Sequence, residues 1–255
     1  MGMQKNPIIV AGGSGYLGKM VSDGLSESSY KLVYLNREQI NSPSDLINSL
    51  GVSNCIMINL IGDTPSNSIT SKGAFEESNL VIPLKLINAL SPKLKFVIHI
   101  SSSLLFNCDQ DNLQLTKNSQ ILFYRELKKT METELLKLCK GGDLNAKILR
   151  VPSIWSKSSI KQDSLLCDLV SSRPIINTNL LSKAEFSTDY YLVKKVKHLI
   201  NLTEASNITK LDKTIKISPM SLYGSFKDAE SLRNPLLKDL FDIYSHHKLQ
   251  KNYPQ

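Results

Sequence analysis

The 255-residue chain holds one tryptophan, four cysteines and four histidines. Cys55, Cys108, Cys139 and Cys167 stand far apart with no C-x-x-C step, which argues against a disulfide framework and a thiolate metal site. The histidines lack ligand spacing, even where His246 and His247 adjoin, so no metal is expected. No stretch approaches the ~20 apolar residues of a membrane span, so no membrane partner is expected. Met1–Asn6 is polar and has no signal-peptide shape, which implies a cytoplasmic location. Internal repeats and low-complexity blocks are also missing. Acidic residues are the scarcer charge, 23 Asp+Glu against 31 Lys+Arg, for a net charge of +8. That balance suits an anionic partner. The basic residues are spread along the chain in short clusters such as Lys194-Lys195, which argues against nucleic acid.

What is present is a hydrophobic fraction of 41%, enough for one large α/β domain, with or without a small appendage. The apolar run Ile8-Ile9-Val10-Ala11 leads into Gly12-Gly13-Ser14-Gly15-Tyr16-Leu17-Gly18. Leu17, Met20, Val21 and Leu25 then keep helical spacing. A buried strand, a glycine turn and a helix is the order a dinucleotide site requires. Gly12 turns the chain off the strand, Gly15 lets backbone approach a pyrophosphate, and Gly18 lets the first helical turn pack close to the sheet. The helix start offers unpaired N–H groups and partial positive charge to phosphates.

Lys31 to Leu35 reads as a second strand, tipped by Asn36-Arg37-Glu38. In a dinucleotide fold this tip meets the adenosine ribose, where an acidic residue would accept the 2′-hydroxyl and repel a 2′-phosphate. Asn36 is neutral, and Arg37 has the planar fork that pairs with a phosphate, so NADP(H) is favoured over NAD(H). Glu38 weighs the other way. Residues 45–50 read as a short helix, and Cys55 to Gly62 as a third strand buried on both faces. Residues 63–74 form a loop at the carboxyl edge. A helix is expected from Phe75 to Leu90, kinked or started near Pro83. Leu94 to Ile100 is a fourth strand that ends in Ser101-Ser102-Ser103, with all three hydroxyls expected to point to the crevice. The helix from Ile121 to Lys140 carries Tyr124 and Lys128 one turn apart on one face. A free phenol titrates near ~10, and a nearby ammonium is expected to lower that value and make the tyrosine an acid–base group.

The order GGSGYLG, SSS, YRELK resembles the extended short-chain dehydrogenase/reductase family. It is most similar to its nucleotide-sugar reductases and epimerases, dTDP-4-dehydrorhamnose reductases among them. Further likeness comes from Asn59-Leu60-Ile61-Gly62, from Asn79 with Pro83 and Leu86, from Leu104-Leu105-Phe106, from Ile148 to Pro152 and from Lys183 to Asp189, covering residues 7–200. The resemblance implies a Rossmann-like doubly wound parallel sheet with a small C-terminal substrate-covering part. It implies that Tyr124 protonates a substrate carbonyl as hydride arrives. It also implies that Lys128 lowers the tyrosine pKa and bonds the nicotinamide ribose, and that Ser102 polarises the carbonyl, with Ser103 as the fallback. Gly12, Ser14, Gly15, Tyr16 and Leu17 would hold the pyrophosphate, and Asn36 and Arg37 the adenosine end. Leu60, Ile61, Gly62 and Val151 would flank the cofactor. Ser153-Ile154-Trp155-Ser156 departs from the family's glycine-containing turn, and the chain is shorter than the family's usual length.

Residues 1–155 are therefore expected to form the NADP(H)-binding part. Residues 156–255 would partly return to the sheet and partly cap the substrate site. Helices are expected over 163–171, 190–202, 221–233 and 236–248, and a strand over 214–217. Trp155 reads as a core residue before a pocket residue. The activity implied is reduction of a keto group, foremost the 4-keto group of a nucleotide-activated deoxysugar for surface polysaccharide. The alternatives are an epimerase or dehydratase on the same scaffold, and a non-catalytic NADP(H)-sensing protein. The partner is a small-molecule substrate, and a homodimer stays open.

Overall fold

The computed structural model describes residues 6–28, 30–42, 53–65, 71–105, 119–158, 165–171, 184–202, 208–217, 221–222, 225–226 and 231–252. The helix expected over 45–50, Phe106, Cys108 and much of 221–233 lie outside them. Runs apolar at every position cannot have a solvent face, and they form the middle of a parallel sheet. β1 (Ile8–Ala11), β3 (Cys55–Asn59) and β4 (Leu94–Ser102) stand side by side, with β2 (Leu32–Tyr34) outside β1. β5 (Ala146–Val151) and β8 (Ile208–Lys210) complete the order β2-β1-β3-β4-β5-β8, parallel throughout.

Successive side chains alternate between faces, so each strand feeds two cores. Ile8, Val10, Ile56, Ile58, Ile98 and Leu149 pack under α1 (Tyr16–Ser26) and α7 (Asp189–Asn201). Ile9, Met57, Val97 and Ile148 pack under α4 (Ile82–Leu90) and α5 (Ser119–Gly141). Leu86, Ile87 and Leu90 of α4 are fully buried, and each such burial contributes about 1.5–3 kcal/mol. The short helices α2 (Arg37–Asn41) and α3 (Lys72–Glu76) follow β2 and β3. α3 runs into α4 through a π turn at Glu77–Val81, immediately before Pro83. Proline has no N–H to continue the ladder and its ring crowds the turn behind it, and a widened turn accommodates both. The turn also aims Asn79 inward.

A second, three-stranded sheet joins β6 (Ser153–Trp155), β7 (Ala184–Thr188) and β9 (Ile215–Ile217). β6 and β7 are parallel, β7 and β9 antiparallel. The resemblance of 183–189 implies a segment that returns to the main sheet, and this is corrected: Ala184–Thr188 enters the small sheet, and among the described residues the strand returning to the main sheet is Ile208–Lys210. α6 (Leu165–Ser171) and α8 (Pro235–Asn252) cover the small sheet around Trp155. Trp155 is 2% exposed and meets Phe186 and Phe226 edge-on at 5.7 and 6.3 Å, so it is a core residue. Among the described residues no helix is long and apolar enough to cross a membrane.

Candidate active site

The glycine turn is built as its spacing requires, with one difference. Gly12 has φ +86°, and a Cβ there would lie 2.8 Å from the Leu60 carbonyl carbon and 2.9 Å from Ile61 N. Only glycine lets the turn lie against the tip of β3. Gly15 N donates to Gly12 O at 3.1 Å and closes the turn. Gly18 packs against the turn itself rather than the sheet, since a Cβ would sit 2.1 Å from Gly12 O. Gly15 caps α1 with no side-chain bond, and the first turn of α1 carries no acidic residue. The N–H groups of Tyr16 and Leu17 thus start a helix with its positive end uncompensated by side chains, a setting suited to a pyrophosphate. Ser14 is exposed at the mouth of the turn. The Tyr16 ring leaves the turn and donates its hydroxyl to Ile154 O at 3.0 Å, which ties the loop to β6.

The three serines at the end of β4 point three ways rather than together. Ser101 donates to Glu132 Oε1 at 2.6 Å, beneath α5. Ser102 is hydrogen-bonded to the Tyr124 phenol. Ser103 is hydrogen-bonded to Glu185 of β7. Of the two serine candidates, Ser102 is therefore the one brought to the tyrosine. Val151 is paired with Ser102 in the sheet, at the same carboxyl edge.

Tyr124 and Lys128 share one face of α5, and Lys128 Nζ lies 5.6 Å from the Tyr124 ring centroid. Both side chains are buried, Tyr124 against Phe75 at 6.0 Å. Gly62, with φ +149°, leaves room for the lysine. A Cβ there would lie 3.0 Å from Lys128 Nζ and 2.7 Å from Asn79 Oδ1. Asn79 Nδ2 donates to Phe75 O at 2.9 Å, while its buried Oδ1 has no partner among the described residues.

The electrostatics correct one expectation. Burial pushes the Tyr124 phenol up to about 12, and the bond from Ser102 offsets this only in part. The same burial brings Lys128 down to about 8, opposed by Glu132 and Asp63. Desolvation thus prevails, and the phenol is held protonated rather than acidified. Beneath them, Asn59 Nδ2 donates to His99 Nδ1 at 2.9 Å, and Asn59 Oδ1 accepts from Ile61 N at 3.2 Å. The amide orientation assigns the His99 proton to Nε2. Burial, then Lys128, holds His99 well below the ordinary histidine value, so it is neutral.

At the adenosine end, Asn36 Oδ1 accepts from Gln39 N at 2.8 Å, and Gln39 Oε1 accepts from Asn36 N at 3.0 Å. Asn36 is thus the N-cap of α2. The side chain of Arg37 lies outside the described residues. Leu60 continues from β3 with its N–H on Ala11 O at 2.8 Å, so Leu60, Ile61 and Gly62 run beside the glycine turn. The cradle around Gly12, the bare start of α1 and the unpartnered Asn79 Oδ1 fit a bound dinucleotide. Sequence reasoning missed Glu132, Arg150 and Glu185. Glu132 stands one turn beyond Lys128, a spacing that was there to be read.

The model of the NAD dependent epimerase/dehydratase family matches residues 8–173. Comparison with curated proteins finds no match. Among solved structures, RMD from Pseudomonas aeruginosa complexed with NADPH is similar at TM-score 0.70 and 14% identity, covering 96% of this chain and 100% of that one. UDP-glucuronic acid 4-epimerase from Bacillus cereus in complex with NAD gives 0.69 and 14%, covering 96% and 98%. UDP-N-acetylglucosamine 4-epimerase from Methanobrevibacter ruminantium M1, in complex with UDP-N-acetylmuramic acid, gives 0.67 and 18%, covering 89% and 82%. These likenesses carry the fold, a Rossmann-like α/β architecture. The family match over residues 8–173 carries more: the chain belongs to the NAD dependent epimerase/dehydratase family, within the extended short-chain dehydrogenases/reductases.

Proposed function

We propose that the protein is an NADP(H)-dependent reductase of a keto group, acting on the 4-keto group of a nucleotide-activated deoxysugar used for surface polysaccharide. One observation carries this reading. A protonated, buried phenol is hydrogen-bonded to Ser102 at the carboxyl end of the central strand, with an ammonium 5.6 Å from its ring.

A bound nicotinamide supplies the hydride. Ser102 hydrogen-bonds the carbonyl oxygen and Tyr124 gives that oxygen its proton as negative charge builds. A phenol held near 12 is a poor base at neutral pH but is fully protonated, the state an acid needs. Lys128 bonds the ribose beside Gly62. Gly12, Ser14, Gly15, Tyr16 and Leu17 surround the pyrophosphate, Asn36 and Arg37 meet the adenosine end, and Leu60, Ile61 and Val151 wall the cleft. Residues 156–255 shape the substrate side. The neutral strand tip supports NADP(H), as does the NADPH bound to RMD. Neighbours complexed with UDP sugars support the substrate class.

The test is purified protein with NADPH or NADH and a panel of keto sugar nucleotides. NADPH consumption matching product formation, lost in Tyr124→Phe, is the expected result. A second reading is favoured by the family's name and by the 4-epimerases among its neighbours: sugar interconversion with no net cofactor change. Tight cofactor binding with no turnover of any sugar nucleotide would sink both.

A further inference from the structure

Glu132 is 3% exposed on α5, one turn beyond Lys128, so the two side chains are neighbours on the same face. A buried carboxylate is costly unless several donors hold it. Here Ser101 and Arg150 do so. Ser101 Oγ donates at 2.6 Å, Arg150 Nε at 2.9 Å and Arg150 Nη2 at 2.6 Å, the last two from β5 in a fork. The carboxylate is thus clamped between two strands and the helix that carries Tyr124 and Lys128.

We propose that Glu132 is a positioning residue for the proton-transfer pair: its clamped carboxylate keeps Lys128 a cation beside Tyr124 in a site too dry to hold that charge alone. The proposal rests on reading Tyr124 and Lys128 as that pair. Among the described residues, the groups facing Lys128 are few. Tyr124 and Glu132 lie on its own helix, Asp63 follows β3, neutral His99 rises from β4, and neutral Asn79 comes from the π turn. Glu132 is the stronger of the two anions acting on it, and it opposes the burial that brings the lysine towards neutrality. The order Tyr124, Lys128, Glu132 along one helix face then divides the work. The first moves a proton, the second presents charge, and the third fixes that charge through Ser101 and Arg150.

The experiment follows the side-chain carbon shifts of 13C-labelled lysine in ligand-free protein as pH rises, with Lys128 assigned by its loss in Lys128→Met. Glu132→Gln is expected to lower the Lys128 midpoint by about one unit or more. That variant removes the carboxylate on which the Arg150 fork sits, so the double variant Glu132→Gln, Arg150→Gln accompanies it and carries the test if the single variant fails to fold. The midpoint is expected to drop there too, and the alkaline limb of kcat/KM with NADPH to move down by the same amount. A purely structural Glu132–Arg150 strut predicts weaker folding with an unmoved midpoint, and that result overturns the proposal. The titration needs neither cofactor nor substrate. A lowered midpoint together with full turnover in Tyr124→Phe would overturn the proposed function while leaving the effect of Glu132 standing.

Discussion

Asn36 and Gln39 cap α2 reciprocally, each side chain bonding the other's backbone N–H. The residue at the tip of β2 therefore spends its amide oxygen on a helix start and presents no carboxylate to the adenosine ribose. Asn36→Asp separates these two roles. Aspartate caps as well as asparagine, so the thermal midpoint is expected to stay unchanged. The added charge opposes a 2′-phosphate, and kcat/KM with NADPH is expected to fall about tenfold or more with little loss for NADH. An unaltered ratio of the two cofactors would refute the NADP(H) preference.

The ligand-free protein should gain stability in alkali because of Lys128. Its folded midpoint of about 8 lies below the ordinary 10.5. Between those values the unfolded chain binds the extra proton, so the free energy of unfolding rises with pH. Below the window both states are charged and the penalty is full; above it neither is. Lys128→Met should be the more stable protein at neutral pH by up to about 3 kcal/mol, with the advantage vanishing as pH passes the window. Tyr124 acts in the opposite sense: raised from 10.0 to about 12, it adds stability that is lost as pH climbs through that range. Chemical denaturation of both proteins at a series of pH values measures the difference. A gap that does not narrow with pH would show that Lys128 is not the group responsible.

These effects also show how the site could be read from sequence and where reading stopped. The glycine turn was legible because Ile8–Ala11 is apolar on both faces and directly precedes it. Tyr124 and Lys128 were legible because helical spacing is local. The direction of the tyrosine's shift was not, because it depends on burial by Phe75 and Leu127, which only the packed helix supplies. Ser102 stood ahead of Ser103 only by resemblance, and the physical ground for it came when Glu185, 82 positions beyond Ser103, arrived on β7 to take Ser103. β8 escaped notice since three residues at a sheet edge, with Ile208 and Lys210 exposed, carry no apolar run.

Lys147 offers a structural control away from the cleft. From β5 its Nζ donates to Leu199 O at 2.8 Å and Leu202 O at 2.5 Å, satisfying carbonyls at the end of α7, and it sits 4.0 Å from the Phe96 ring centroid. Such carbonyls otherwise lack partners, and a cation suits that end of a helix. Lys147→Met removes both donors and is expected to cost about 1–3 kcal/mol of stability. Cofactor affinity and turnover per folded molecule should not change. Loss of turnover without loss of stability would place the lysine in the chemistry instead.

Two glycines with opposite surroundings test whether the cradle is held by close backbone approach. At Gly12 an added methyl meets the backbone of Leu60 and Ile61 at 2.8–2.9 Å, in a conformation L-residues rarely adopt. Neither neighbour can yield without moving the tip of β3. Gly12→Ala should therefore destabilise by about 1–3 kcal/mol and abolish measurable cofactor binding, because the displaced turn is the one that would meet the pyrophosphate. Gly73 in α3 has nothing within 4 Å of the same added atom. Gly73→Ala should stabilise by about 0.5–1 kcal/mol, since alanine loses less backbone freedom on entering a helix. Calorimetry of unfolding and of NADPH binding reads both. Normal NADPH affinity in Gly12→Ala would mean the dinucleotide does not bind against this turn.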